Sequence, residues 1–380
     1  MANYWASLPP GIIGLILSHV AQEAASDHTL ARYATVNQNW QYLFEQLTFR
    51  SLSLGPDDLS DFELTVSINS ERRKWLRAVS FHDRSDGDKS ETLVLEHDPS
   101  RTVFSLLSLL KKWDHDGNLH LTLYLSAHTT NSLDAQRAAT LHENGSFLHS
   151  TIQPRLPKKD FPAHIFGDIP AVKSFSIRYE GKGVTVTRAA ISLSSAFPGL
   201  EELCLQNCDH HNEHTKHIRI AELVPQLPKT LKRLHILGQG SKGAQSTSAC
   251  RFLVQRLVWF GMTTQLKALS VTTSGNTAEE FLEAFRNLTS GSVPNSGTLQ
   301  WPALESLTLT CSLLGQGTPR SIVNRFLHQA GIAALGLPRL RELRFLSYSS
   351  RRRGEVNGLF RYVIRSYGEA TAACFGELDK

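Results

Sequence analysis

One pattern recurs through the second half of the chain and narrows what it can become. Ile169-Pro170 precedes Val172, Phe175 and Ile177. Phe197-Pro198 precedes Leu200, Leu203 and Leu205, and Leu227-Pro228 precedes Leu231, Leu234 and Ile236. Leu266, Leu269 and Val271 repeat the spacing without the proline. Trp301-Pro302 precedes Leu304, Leu307 and Leu309, and Leu337-Pro338 precedes Leu340, Leu343 and Phe345. Each unit reads apolar-x-x-apolar-x-apolar and begins 28–38 residues after the one before. Apolar residues two apart share one face of a strand. The chain between units is long enough for a helix that returns to the start of the next strand. A strand that packs only on its neighbours' strands and helices must stack into a curved array.

The intervals support those helices. Thr277-Ala-Glu-Glu280 has capping-box spacing ahead of Phe281, Leu282, Phe285 and Leu288. Cys250, Leu253, Val254, Leu257 and Val258 form a helical face, as do Ile322, Val323, Phe326 and Leu327. The array resembles leucine-rich repeats at the long and irregular end of their range. In such an array the apolar positions point inward and the residues between them line an open sheet face. Here these are Ser176, Arg178, Glu202, Cys204, Gln206, Arg233, His235, Ser270, Thr272, Thr308, Thr310, Glu342 and Arg344. Arg178, Glu202, Gln206, Arg233, His235, Thr272, Thr308 and Arg344 are the candidate substrate-binding residues.

The first fifty residues follow another rule. Leu8-Pro9-Pro10 opens a dense apolar run of Ile12, Ile13, Leu15, Ile16, Leu17 and Val20. Proline suits the first helical positions, where no N–H donor is needed. The run covers more than the single stripe that a helix packed on one neighbour requires. Asp27 is expected to cap a second helix through Tyr33, and Asn37 a third carrying Trp40, Leu43, Phe44 and Leu47. Three short helices make a small core for independent stability. A docking module, covered partly by a partner, is the economical reading.

The order Leu8-Pro9, Ile12-Ile13, Ile16-Leu17, then Leu30, Tyr33, Val36, Trp40 and Phe49, resembles an F-box. That resemblance implies binding to the Skp-type adaptor of cullin-RING ubiquitin ligases through Leu8, Pro9, Ile12, Ile13, Ile16, Leu17, Val36 and Trp40. Gly11 stands where the family often has an acidic residue. A charge near a helix N-terminus is worth about 0.3–1 kcal/mol, and it is missing here. At the level of the whole chain, an F-box followed by strand–helix repeats resembles fungal F-box proteins with leucine-rich-repeat-like arrays. The predicted fold class is therefore α/β: a three-helix F-box at 1–50, a linker with first irregular strand–helix units at 51–168, and an irregular leucine-rich-repeat-like solenoid at 169–380.

Between these regions the signals are shorter. Leu52 to Leu54 predicts a strand, 59–69 a helical stretch, and Leu76, Val79 and Phe81 another strand. His82 to Ser90 predicts a polar loop. Asp98-Pro99 predicts a cap and first turn ahead of Val103, Phe104, Leu106, Leu107 and Leu110. Leu119, Leu121, Leu123 and Leu125 alternate with the period of a half-buried strand. The polar stretch from 126 to 168 predicts a long connection with one short helix near 133–141. Leu359, Tyr362, Val363 and Ile364 predict a helix closing the far end.

Composition narrows the function classes. With 41% hydrophobic and 20% charged residues the chain can bury a sizeable core. No run of eighteen apolar residues predicts a membrane span. Prolines before the first apolar run, without a basic flank, do not suit a signal peptide. Five cysteines, an odd number, predict reduced thiols in cytoplasm or nucleus rather than a disulfide framework. Charge is uneven. Residues 1–190 carry 19 Lys+Arg against 21 Asp+Glu, net −2, and residues 191–380 carry 21 against 14, net +7. No acidic residue lies between Glu222 and Glu279. That span reads as a solvated basic face, or as a preference for an acidic or phosphorylated protein partner. Nucleic acid is not the expected partner.

Signals for chemistry are weak. Cys204, Cys208, His210, His211, His214 and His217 cluster in sequence, but no Cys-x-x-Cys pair supports zinc. Gly238-Gln-Gly240-Ser-Lys-Gly243 matches a dinucleotide fingerprint, yet no acidic residue follows about twenty residues on. A Gly/Ser loop is the simpler reading. Arg351-Arg352-Arg353 suits a solvated loop or an import signal. No nucleophile elbow and no placed acid–base pair appear. The expectation is a non-catalytic substrate receptor of an SCF-type ligase, with no cofactor or metal. The alternative is a leucine-rich-repeat-like interaction scaffold unconnected to ubiquitin transfer.

Overall fold

Proline-containing turns set the start of the strands. In a computed structural model of the chain, the Leu200 N–H donates to the Phe197 carbonyl (2.9 Å) and the Leu340 N–H to the Leu337 carbonyl (2.9 Å). The Val172 N–H does the same to Ile169 (3.4 Å). Each is a four-residue turn with proline second, the position that its fixed φ favours. The structure describes residues 8–26, 30–36, 38–83, 99–113, 120–128, 168–180, 190–191, 193–206, 213–238, 247–273, 276–290, 301–314, 318–348, 356–364 and 370–376.

The elements in chain order are α1 (Pro10–Ser26), α2 (Leu30–Tyr33), α3 (Gln38–Thr48), β1 (Ser51–Leu54), α4 (Leu59–Phe62), α5 (Ser70–Trp75), β2 (Ala78–Asp83), α6 (Pro99–Lys111), β3 (Leu121–His128) and β4 (Val172–Glu180). There follow β5 (Glu202–Gln206), α7 (Glu213–Leu223), β6 (Arg233–Leu237), α8 (Thr247–Thr263), β7 (Ala268–Thr272), α9 (Thr277–Ser290), β8 (Ser306–Thr310), α10 (Arg320–Leu335), β9 (Glu342–Tyr348), β10 (Val356–Ile364) and β11 (Ala370–Gly376). All eleven strands join one sheet in sequence order. β1 to β9 are parallel, and β10 and β11 are antiparallel. This is a largely parallel sheet of strand–helix units, consistent with a leucine-rich-repeat-like solenoid.

Register lines the apolar positions into two continuous ladders. One runs Leu52, Val79, Leu123, Phe175, Leu203, Leu234, Leu269, Leu307, Leu343. The other runs Leu54, Phe81, Leu125, Ile177, Leu205, Ile236, Val271, Leu309, Phe345. All but Leu52 are buried. Burying one such side chain contributes about 1.5–3 kcal/mol, so the ladders and the helices over them hold the array. α8 and α9 are also tied by charge: Arg251 reaches Glu280 (2.9 Å) and Glu283 (3.1 Å). The Thr277 hydroxyl, fully buried at the start of α9, accepts from the Thr310 N–H (2.9 Å). It also contacts the Val271 and Thr310 carbonyls (3.2 and 3.1 Å), so one side chain fixes α9 to two strands.

The predicted strands at 52–54, 79–81 and 121–125 and the six repeat strands are present, as are the helices over 250–258, 277–288 and 322–327. The stretch 59–69 is α4 continued by a π turn, Glu63–Ser67. There the buried Ser67 hydroxyl accepts from the Trp113 indole N–H (2.8 Å). β2 includes His82 and Asp83, and β3 runs on to His128, so residues expected to begin connections belong to strands. The predicted helix near 133–141, Asp27, Asn37, Asp98, Leu119, Arg351 to Arg353 and most of the expected connections lie outside the described residues.

One further expectation is overturned. Leu359 to Ile364 belongs to β10, not to a closing helix. Its apolar spacing fits a helix locally, but β9 would otherwise present an unpaired edge. β10 pairs with that edge and stacks Phe360 on Phe345 (5.8 Å between ring centres). The bulge before Gly358 brings the backbone close to Leu314, where a Cβ would lie 2.6 Å from the carbonyl oxygen. Only glycine fits that approach.

Candidate functional site

Two surfaces stand out, one at each scale of the fold. The first is α1. Ile13, Leu17, Val20 and Ala24 recur at i, i+4, i+7 and i+11 and form the inward stripe, with Leu17 and Ala24 buried and Ile13 and Val20 half-buried. Ile12, Leu15 and Ile16 lie on an adjoining face and are 44%, 68% and 36% exposed. Leu8 is half-buried and Pro9 is exposed just before the helix, and the Pro9 carbonyl accepts from the Ile12 and Ile13 N–H groups. Val36, after α2, is also exposed. Trp40 turns inward instead. It stacks with Phe44 (5.5 Å) and Tyr33 (6.1 Å), and its role is internal packing. α3 is anchored to the array through Arg72, which pairs with Glu45 (3.0 Å) and lies 4.6 Å over the Phe49 ring. Tyr42 meets Trp75 of α5 edge-on (5.3 Å). Leu15, the most exposed apolar residue of α1, was in the predicted apolar run but not among the candidate contacts. Only the division of the helix into two faces distinguishes it.

The second surface is the face of the sheet opposite the apolar ladders. The predicted residues share it in three rows. Glu202, Arg233 and Glu342 stand in the row nearest the strand starts. Cys204, His235, Ser270, Thr308 and Arg344 form the middle row, and Arg178, Gln206 and Thr272 the third. A trough of about 540 Å³ opens over them, lined by Arg178, Gln206, His235, Thr272, Thr308 and Arg344. Glu202 and Arg233 lie outside it and pair with each other (2.9 Å). Thr272 and Thr310 are almost fully buried, so they offer little to a ligand. The trough also includes Ser306, Ala268, Leu237, Gly238 and Leu346, which sequence reasoning missed. Leu237 and Leu346 were legible as apolar residues directly after the third repeat position, where alternation calls for a polar one.

Electrostatics on this face are uneven. Glu342 accepts from Arg344 Nη2 (2.7 Å) and Arg361 Nε (2.8 Å). Burial acts to raise its pKa, but the two guanidiniums outweigh burial and hold the carboxyl below its ordinary value. Burial pushes the His235 pKa down, against the pull of Glu202 3.6 Å away. The His235 imidazole is therefore biased towards the neutral form. Burial raises the Cys204 thiol, so this cysteine is no ready nucleophile. A third feature, unforeseen from sequence, is an apolar groove of about 670 Å³ between α9 and α10, where Phe285, Phe326, Ile332 and Leu335 line the walls.

The cysteine–histidine cluster does not assemble among the described residues. Cys204 sits on the open face, while His217 is buried in α7 beside the Thr273 hydroxyl (3.3 Å). No group of three or more His, Cys, Asp or Glu able to hold a metal occurs among the described residues. No helix there is long and apolar enough to cross a membrane. Cys208, His210, His211, Gly240 and Gly243 lie outside them.

Comparison with known families finds that residues 213–379 match a family of unknown function, DUF6546. The matched segment begins at α7 and includes most of the trough and the closing hairpin. No curated protein matches the chain.

Proposed function

We propose that the chain is the substrate-recognition subunit of an SCF-type ubiquitin ligase. Its F-box-like helices would bind a Skp-type adaptor, and through it a cullin, while the open face of the array receives a protein substrate. The observation that carries this reading is the outer face of α1. Ile12, Leu15 and Ile16 are apolar and uncovered among the described residues, on a helix whose other stripe is already packed. Leaving that area in water forgoes roughly 25 cal/mol per Å², which a docked partner would recover. The chain would supply no reacting group. Holding a substrate lysine close to a charged conjugating enzyme turns a bimolecular step into an effectively unimolecular one.

Co-expression with a Skp-type adaptor tests the reading. The adaptor should co-purify with the wild type. Leu8→Ala combined with Pro9→Ala, or Leu15→Asp, should abolish co-purification with little change in unfolding temperature. A monomeric wild type that ignores the adaptor, or a double variant whose main defect is lost stability, would favour the interaction scaffold with a helical cap.

A further inference from the structure

The trough on the open face has a chemical bias that names what it takes. On this face β4 to β10 carry Arg178, Arg233, Arg344 and Arg361, with Glu180 at the end of β4, Glu202 and Glu342. Glu202 and Glu342 lie in the row nearest the strand starts, outside the trough, and each is engaged by arginine. Glu342 serves two guanidiniums at once, which leaves one positive charge uncancelled beside the cavity. The trough lining itself contains Arg178 and Arg344, the hydroxyls of Ser270, Ser306 and Thr308, and no carboxylate.

Arg344 carries the sharper observation. Its Nη2 is spent on Glu342, but its Nε is buried and has no acceptor. The side chain is nonetheless 42% exposed and lines the trough, and a guanidinium suits an oxyanion geometrically. Leu237, Ala268 and Leu346 add apolar wall beside it. A cavity of about 540 Å³ is too small for a folded surface and falls in the range for compact ligands.

We propose that this trough binds a short extended peptide segment bearing a side-chain oxyanion, carboxylate or phosphate, with Arg344 as its principal donor. The proposal rests on the reading that this face receives the substrate. Arg344 donates from the exposed part of its side chain, beside the Glu342 pair. Arg178 lines the far wall, and Thr308 and Ser306 supply hydroxyls to the peptide backbone.

Four degenerate heptapeptide pools, alike except for a central glutamate, phosphoserine, alanine or lysine, test this with the full chain by fluorescence anisotropy. The glutamate pool, the phosphoserine pool or both should bind about tenfold or more tighter than the alanine and lysine pools, the gain expected of one charge-assisted bond. Whichever anionic pool prevails identifies the source of the oxyanion. Arg344→Gln should remove the preference. Thr308→Glu, which sets a carboxylate directly opposite Arg344 without removing any arginine, should remove it too, so the result does not hang on one variant. Equal binding of all pools, binding by none, or a preference that survives both variants would overturn the proposal. Adaptor capture, read on the same preparations, depends on α1 and not on the trough. Capture without anion preference therefore sinks this inference alone, and anion preference without capture sinks the ligase reading.

Discussion

His235 shows how one side chain on the open face makes stability depend on pH. Burial lowers its pKa from the ordinary 6.5, with Arg233 adding to the shift and Glu202 opposing it. The unfolded chain therefore takes up a proton at higher pH than the folded one, and stability falls as the pH drops through 6.5 towards the folded value. His235→Asn should flatten that part of a stability–pH curve measured by urea unfolding. An unchanged slope would locate the dependence elsewhere. Glu342 acts in the same sense at lower pH, since its depressed pKa contributes stability above the usual carboxylate range that is lost on acidification. The positions of both residues were readable from repeat spacing. Their pairing was not, because Glu342 meets Arg361 across an antiparallel strand that the sequence suggested was a helix.

Elements were legible where local pattern and tertiary demand agree. β4 to β9 declare themselves because two apolar residues per strand must face one core, and a turn proline marks most of their starts. β10 escaped because Leu359, Tyr362 and Val363 fit three- and four-residue spacing as well as they fit a strand. Only the bare edge of β9 decides between them, and that edge exists only after the array is assembled. α1 was legible as a helix with surplus apolar surface, but its two faces needed coordinates to separate. Its middle is weak by its own composition. Gly14 is exposed, with nothing within 4 Å of where a Cβ would stand. Gly14→Ala should therefore stabilise the helix by about 0.8–1 kcal/mol, seen as a higher unfolding midpoint of the N-terminal module. A lower midpoint would mean that a neighbour occupies that space.

For the molecule as a whole, an array of stacked units is as sound as its ends. The N-terminal end is covered by α3, which packs on β1, and the C-terminal end by the β10–β11 hairpin, with Phe360 over Phe345. A chain ending before Val356 should expose the edge of β9 and self-associate, as measured by size exclusion with light scattering. A monodisperse truncated chain would show that the hairpin is dispensable for closure. The role of the hairpin as a cap could not be read from sequence, since nothing local distinguishes an end strand from one more repeat.

Arg178 on β4 and Arg344 on β9 meet the same trough although five strand spacings, about 24 Å on a flat sheet, part them. The reach of two long side chains, with the curvature that stacked units accumulate, brings them to one cavity. The number of units is thus a ruler for the cavity. Excising one whole strand–helix unit, or splicing in another, would leave a well-packed array of different arc, and the two arginines would then grip a segment of another length or none.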